Sequence, residues 1–215
     1  MRYLALVLVL AVATPFACAQ RPPQQPQQPV TAPGPVRVEP NWAEVRIAQQ
    51  QGQVSSLDML QRAVRQQPPA GQKPGELLAE LPGYITQSAS TNAAVMIPLS
   101  AARAETTSLV TGKTFYNFSA TYPGVLTSSV LGMCSGMRLP DNHPIVRSMQ
   151  AEARQRPVAA GLGEPYQITA TETGRQLSFS KFGCAYEIAI TCEGSCNVDK
   201  ELLDIASSLV VINAR

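Results

Sequence analysis

Residues 176–212, QLSFSKFGCAYEIAITCEGSCNVDKELLDIASSLVVI, decide the fold of this chain. From Cys184 to Cys192, every second residue is apolar or aromatic and would share one face of an extended segment, while Glu187 marks the wetter face. This alternation is typical of a half-buried antiparallel strand. A second alternating run precedes it, and Gly183 permits a tight turn between the two. The stretch therefore predicts two neighbouring antiparallel strands.

A helix is predicted to follow these strands. Residues 193–196 form a turn-rich run, and Asn197 or Asp199 can cap a helix by accepting a hydrogen bond from a free backbone N–H. Beyond the cap, apolar residues recur at helical spacing, at Leu202, Ile205, Ala206 and Leu209. We expect this C-terminal helix to lie across the sheet.

The chain before this stretch also reads mainly as strands. Several segments are apolar or alternate with period two and are bounded by turn residues, namely 93–99, 113–121, 125–134 and 166–171. Residues 145–155 instead carry apolar side chains at helical spacing. The sequence thus predicts an α+β fold, in which a mainly antiparallel sheet of about five or six strands carries the C-terminal helix.

The N-terminal residues 1–19 predict a signal peptide. Arg2 supplies the positive charge, an apolar run follows it, and Ala17-Cys18-Ala19 fits the small-x-small site of signal peptidase. Cleavage there would make Gln20 the first residue. The alternative is lipoprotein processing, which would attach a lipid to Cys18. In both cases we expect an exported protein, periplasmic or extracellular.

The rest of the chain is predicted to contain three segments. Residues 20–40 are rich in proline, which fixes φ and removes backbone donors, and in glutamine, which adds no apolar surface, so they predict a disordered linker. Residues 41–82 predict a helical segment with one or two helices, ended by Pro82-Gly83. These helices could pack on the main domain or form a partner-binding arm around Trp42. Residues 83–215 are predicted to be the disulfide-stapled α+β domain.

Four cysteines lie beyond the leader: Cys134, Cys184, Cys192 and Cys196. In an exported protein such an even set predicts two disulfides, for which four cysteines allow three pairings. In a continuous strand Cys184 and Cys192 would be roughly 26 Å apart, which excludes a bond between them. Of the two remaining pairings we favour Cys192–Cys196 as a local clip, with Cys134–Cys184 joining neighbouring strands.

One motif suggests catalysis. Gly132-Met133-Cys134-Ser135-Gly136 has the shape of a hydrolase nucleophile elbow, and Asp141 and His143 follow closely. An elbow needs a strand-to-helix turn in a parallel sheet, whereas this region predicts antiparallel strands, so we interpret Cys134 as a disulfide partner. The chain contains one histidine, which disfavours a zinc site. We therefore predict no catalytic, cofactor-binding or metal-binding residue.

The balance of charge narrows the class of partner. The formal net charge is +2, which is too close to neutral to indicate nucleic acid or an anionic membrane surface. The sequence predicts an exported, non-catalytic binding or accessory domain of the envelope or periplasm, with an unidentified protein or envelope partner. It would act through a groove between sheet and helix or through the Trp42 helices, and a lipid on Cys18 would be its only membrane contact. The alternative is a small exported cysteine hydrolase that uses Cys134 and His143.

Overall fold

The structure, a computed structural model, describes residues 34–66, 76–123, 126–158, 161–192 and 197–213, all within the compact unit Pro33–Arg215. The helices are α1 Trp42–Gln50, α2 Leu57–Arg65, α3 Leu77–Ser88, α4 Pro144–Ala153 and α5 Asp199–Ser207, with a 3-10 helix at Leu99–Arg103. The strands are β1 Val36–Arg37, β2 Met96–Pro98, β3 Thr106–Thr111, β4 Phe115–Tyr122, β5 Leu126–Met133, β6 Met137–Arg138, β7 Tyr166–Thr171, β8 Gly174–Lys181, β9 Cys184–Thr191 and β10 Leu209–Val211.

Six strands form one antiparallel sheet in the order β3-β4-β5-β9-β8-β7. Two three-stranded meanders, β3 to β5 and β7 to β9, meet at the central pair β5 and β9. The turn between β8 and β9 contains Phe182 at φ 53° and Gly183 at φ 77°. Two successive positive φ values characterise the type I′ turn, whose twist matches that of antiparallel strands. The predicted α+β class and its antiparallel sheet are confirmed.

One face of this sheet, here the core face, carries the hydrophobic core. Its buried side chains alternate along β9, at Cys184, Tyr186, Ile188 and Ile190. Buried residues of α1, α2, α3 and α5 belong to the same cluster, among them Val45, Leu60, Leu77 and Leu202. These four helices therefore cover the core face. Trp42 at the start of α1 is partly buried against this cluster, which favours the packing role for that helix.

The C-terminal helix packs against β8 and β9 as predicted, but it ends before Leu209. Leu209 instead begins β10, which pairs antiparallel with β2. All three residues of β10 are buried, and a short run that is apolar at every position suits a strand enclosed on both sides. Asn213 then fastens the chain end, because its amide donates to Ala93 O at 2.8 Å and accepts from Val95 N–H at 2.8 Å.

The prediction that Pro82-Gly83 ends the helical segment is wrong. Helix α3 continues through both residues to Ser88, although a proline inside a helix removes one backbone hydrogen bond. Its buried side chains, Leu77, Leu81, Tyr84 and Ser88, lie on one face, and their burial outweighs the local penalty. As a result α3 crosses the predicted boundary between the helical segment 41–82 and the α+β domain 83–215.

The segment 20–40 was predicted to be a disordered linker, and its residues 20–33 lie outside the described residues. Within its described end, Val36–Arg37 forms β1 and pairs with β6, and Pro40 is buried. The backbone N–H of Asn41 then donates to Phe182 O at 2.8 Å. The expectation of disorder is thus incorrect for residues 36–40, because contacts with β6 and with the β8–β9 turn hold this part of the chain.

Candidate functional site

Cys134 and Cys184 form a disulfide bond, with their Cα atoms 4.7 Å apart. The bond joins the residue after β5 to the first residue of β9, as predicted. With a sequence separation of 50, it should stabilise the fold by about 4 kcal/mol in the chain-entropy account. Cys192 is also disulfide-bonded. Cys196 lies outside the described residues, so the Cys192–Cys196 bond stays a prediction.

Cys134 of the elbow motif and the nearby Asp141 and His143 each make a contact that stabilises the fold. Cys134 is fully buried and its sulfur is part of the disulfide, so it presents no free thiol. His143 caps α4, because its Nδ1 accepts from Ile145 N–H at 3.3 Å. Asp141 forms an exposed ion pair with Arg138 at 3.1 Å. The strand before Cys134 is antiparallel to both of its neighbours and is followed by β6 rather than a helix. This geometry lacks the strand-to-helix turn on which an elbow depends.

Gly132, the first glycine of the motif, has a packing role. A Cβ atom there would lie 2.2 Å from Tyr116 Cε1 and 2.8 Å from Tyr186 Cε1. Both rings are buried and held by hydrogen bonds, since the Tyr116 hydroxyl donates to Met96 O and the Tyr186 hydroxyl donates to Ala94 O. Burial raises the pKa of both phenols above its usual value. The glycine is therefore needed for the close approach of two fixed tyrosines.

A cavity of about 530 Å³ lies between the helices and the end of the β4–β5 hairpin and is here called the helix–sheet cavity. Helices α2 and α5, the 3-10 helix and the ends of β4 and β5 each contribute side chains to it. Its lining comprises Ala63, Gln66, Leu99, Ser100, Ala102, Arg103, Tyr122, Leu126, Glu201, Asp204, Ile205 and Ser208. No local signal in the sequence brings these separate segments together.

The wall of this cavity is mainly apolar and its mouth is polar. Leu99, Leu126 and Ile205 supply aliphatic surface, and all three also pack against the core. Ser100 Oγ and Tyr122 OH lie 2.9 Å apart and share a hydrogen bond within the lining. The charged lining residues, Arg103, Glu201 and Asp204, are exposed. Such a distribution favours a ligand with an apolar body and a polar end.

Strand β5 carries a buried hydroxyl group, that of Ser128, close in sequence to the cavity residue Leu126. Ser128 is on the core face, two residues beyond Leu126, and is 1% exposed. Its Oγ has no hydrogen-bond partner within the described part of the chain. Its neighbours on the adjacent strands are Ala120 and Ile190. A buried hydroxyl without a partner costs about 1–3 kcal/mol of stability, so this position is a weak point of the core.

Lys181 is a second unusual core residue, at the end of β8. Its ammonium group donates to Leu162 O, lies 3.8 Å from Glu164 Oε1 and stands 5.2 Å from the centre of the Phe182 ring. Burial lowers the pKa of Lys181, although Glu164 and Glu44 oppose the shift, and burial raises the pKa of Glu164. The alternation along β8 places Lys181 on the face of Leu177 and could have revealed it. Its contacts fasten the loop before β7 to the sheet.

Neither metal ligation nor a membrane span is indicated by the described residues. Among them, no group of three or more His, Cys, Asp or Glu side chains could hold a metal ion. In the same part of the chain, no helix combines the length and the apolar character needed to cross a bilayer. Comparison with protein-family models, curated proteins and solved structures gives no match.

Proposed function

We propose that this chain is an exported binding domain that holds a small, largely apolar molecule in the helix–sheet cavity. The observation that carries the proposal is the cavity, whose volume of about 530 Å³ and apolar wall agree with ligand pockets of about 300–1,000 Å³. The leader 1–19 supports export. The Cys134–Cys184 disulfide supports an oxidising compartment such as the periplasm.

The lining suggests how such a molecule would be oriented. Its apolar body would contact Leu99, Leu126 and Ile205, while its polar end would reach the hydroxyl pair of Ser100 and Tyr122. The mouth of the cavity carries two acidic residues, Glu201 and Asp204, and one basic residue, Arg103. The site therefore favours a ligand whose polar end is uncharged or cationic over one whose polar end is anionic. This preference is weak, because salt screens exposed charges.

A cavity-filling substitution tests the proposal. Ala63 lies in α2, is half-buried and lines the cavity, so Ala63→Phe would occupy the ligand volume. The probe is N-phenylnaphthylamine, an uncharged dye that fluoresces in apolar surroundings. We expect the full chain to bind the dye and Ala63→Phe to weaken binding about tenfold or more, since a contact loss of about 1.4 kcal/mol is tenfold.

The matched control is Ala151→Phe, which adds the same ring to an exposed position of α4 away from the cavity. It should bind the dye as the unchanged protein does. Equal binding by Ala63→Phe and the unchanged protein would reject the cavity as the binding site, and so would the absence of dye binding in a folded protein.

The export part of the proposal is tested by intact mass. Protein purified from its native envelope should begin at Gln20 and gain about 4 Da on reduction, as expected for two disulfides. A chain that begins at a lipid-modified Cys18 would instead place the domain at a membrane. A chain that retains Met1 would contradict export with cleavage.

A further inference from the structure

The face of the sheet opposite the core face, here the outer face, carries side chains in register across all six strands. One row consists of Thr106, Thr121, Thr127, Thr191, Gly174 and Thr171. The next row consists of Ser108, Ser119, Ser129, Ala189, Gln176 and Thr169. We name these twelve positions the hydroxyl face, since nine of them are serine or threonine.

The hydroxyl face differs from an ordinary solvated surface in its lack of charge. None of its twelve positions is Asp, Glu, Lys or Arg. Charged residues make up 15% of the whole chain, so about two would be expected at twelve positions. Threonine is favoured in strands for its shape, which explains its presence but not the absence of charge. The composition therefore indicates a face adapted to an uncharged partner.

The face is open in the described part of the chain. All twelve positions are exposed or half-buried, and the four helices of the core lie on the other side of the sheet. At the opposite end of the outer face, Gln150 and Ala153 of α4 line a groove of about 610 Å³ together with strand residues such as Met133, Ser180 and Ala185. None of the twelve positions lines that groove.

We propose that the hydroxyl face binds a neutral polysaccharide. A hydroxyl donates one hydrogen bond and accepts two, so rows of threonine and serine can pair with the hydroxyls of sugars. Nucleic acid or an anionic polymer would require the cations that the face lacks. A protein partner would require the aromatic and apolar anchors of a typical interface, which are also absent from the twelve positions.

The regular spacing favours a polymer over a single sugar. Neighbouring strands lie about 4.8 Å apart, so a row of six side chains extends for about 24 Å. Each hydroxyl contributes little on its own, because it must exchange a hydrogen bond with water for one with the ligand. A chain of repeating units laid along the rows would form many such bonds at once. This surface and the helix–sheet cavity lie on opposite faces of the sheet, so the two sites could be occupied together.

Affinity electrophoresis tests the proposal. The full chain is run in native gels that contain soluble starch, mannan or hydroxyethyl cellulose, with carboxymethyl cellulose as a charged counterpart. We expect retardation by at least one neutral polymer. Thr127 and Thr191 face each other on the two central strands, and replacing both with valine removes two hydroxyls while keeping the shape. Thr127→Val/Thr191→Val should weaken the binding about tenfold.

The matched control is Thr127→Ser/Thr191→Ser, which keeps both hydroxyls and should bind within about threefold of the unchanged chain. Thermal unfolding confirms that both variants fold. The proposal is overturned if none of the three neutral polymers retards the folded protein, or if the valine pair binds as well as the unchanged chain. A dimer in sedimentation that the valine pair dissociates would assign the face to a second copy and would also overturn it.

Discussion

Gly132→Ala is the most direct test of how the elbow motif is used. The added Cβ would lie 2.2 Å from Tyr116 Cε1 and 2.8 Å from Tyr186 Cε1, distances that real Cβ contacts do not show. If the glycine served a nucleophile elbow, its replacement would chiefly affect turnover. If it separates two packed rings, its replacement must chiefly affect stability.

The cost follows from how firmly the rings are held. Overpacking a core costs about 1–3 kcal/mol when the neighbours can shift. Here the Tyr116 hydroxyl bonds both Met96 O at 3.2 Å and Met96 N at 3.0 Å, so moving the ring breaks buried hydrogen bonds worth about 1 kcal/mol each. We expect Gly132→Ala to lower the free energy of unfolding by about 3–4 kcal/mol.

Urea denaturation measures this loss. With a slope of about 2 kcal/mol/M, the midpoint should fall by about 1.5–2 M while the slope is unchanged. Gly83→Ala is the matched control, because Gly83 lies inside α3 and no atom lies within 4 Å of the position that an added methyl carbon would take. Alanine has the higher helix propensity, so this variant should be more stable by about 0.5–1 kcal/mol.

A Gly132→Ala protein as stable as the unchanged chain would refute the packing argument. A second comparison refines it, since Tyr116→Phe frees one ring from its hydrogen bonds. The double variant Gly132→Ala/Tyr116→Phe should lose less stability than the two single variants added together, because contacting residues are coupled. Strict additivity would mean that the Tyr116 ring does not meet the new methyl group.

Buried groups allow three further predictions. Ser128→Ala removes a hydroxyl without a partner in the described part of the chain and should raise the free energy of unfolding by about 1 kcal/mol, whereas a loss in chemical denaturation would mean that the hydroxyl is satisfied. Replacing Cys134 and Cys184 together with serine should lower stability by up to about 4 kcal/mol, and a variant with unchanged stability would contradict the structural role of the bond. Stability should also fall at alkaline pH, because burial raises the pKa of Tyr84, Tyr116 and Tyr186. The pKa of Tyr84 is raised to about 12, and its hydrogen bond to Glu80 contributes to this shift. Since the exposed phenols of the unfolded chain lose their protons first, near pH 10, stability should be constant below that pH and decline as the pH rises from about 10 to 12, which denaturation at stepped pH would show.

The local features of the fold could be predicted because neighbouring residues determine them. Period-two alternation identified β4, β5, β8 and β9, and the glycine at the β8–β9 turn explained how the last two are joined. Strand geometry excluded one of the three cysteine pairings, and a preference for a local Cys192–Cys196 clip then favoured the Cys134–Cys184 bond that the structure contains. The strand β3 was missed, because Leu109 is its one buried residue and its polar side chains give no clear alternation.

The candidate sites could not be predicted, because both depend on contacts between distant segments. The helix–sheet cavity exists where α2, α5, the 3-10 helix and a hairpin end meet, and none of these segments signals the space between them. The continuation of α3 through Pro82 likewise depends on burial against the core rather than on propensity.

The sequence by itself determined which side chains share a face of each strand, because that depends only on the two-residue repeat of the backbone. It also favoured the Cys134–Cys184 disulfide between two strands, and it predicts export. Only the tertiary structure decided which strands pair across long stretches of sequence, such as β5 with β9, and in what register all six strands align. That choice aligned the threonines of separate strands into rows, since a shift of one residue in any strand would have turned its hydroxyls towards the core.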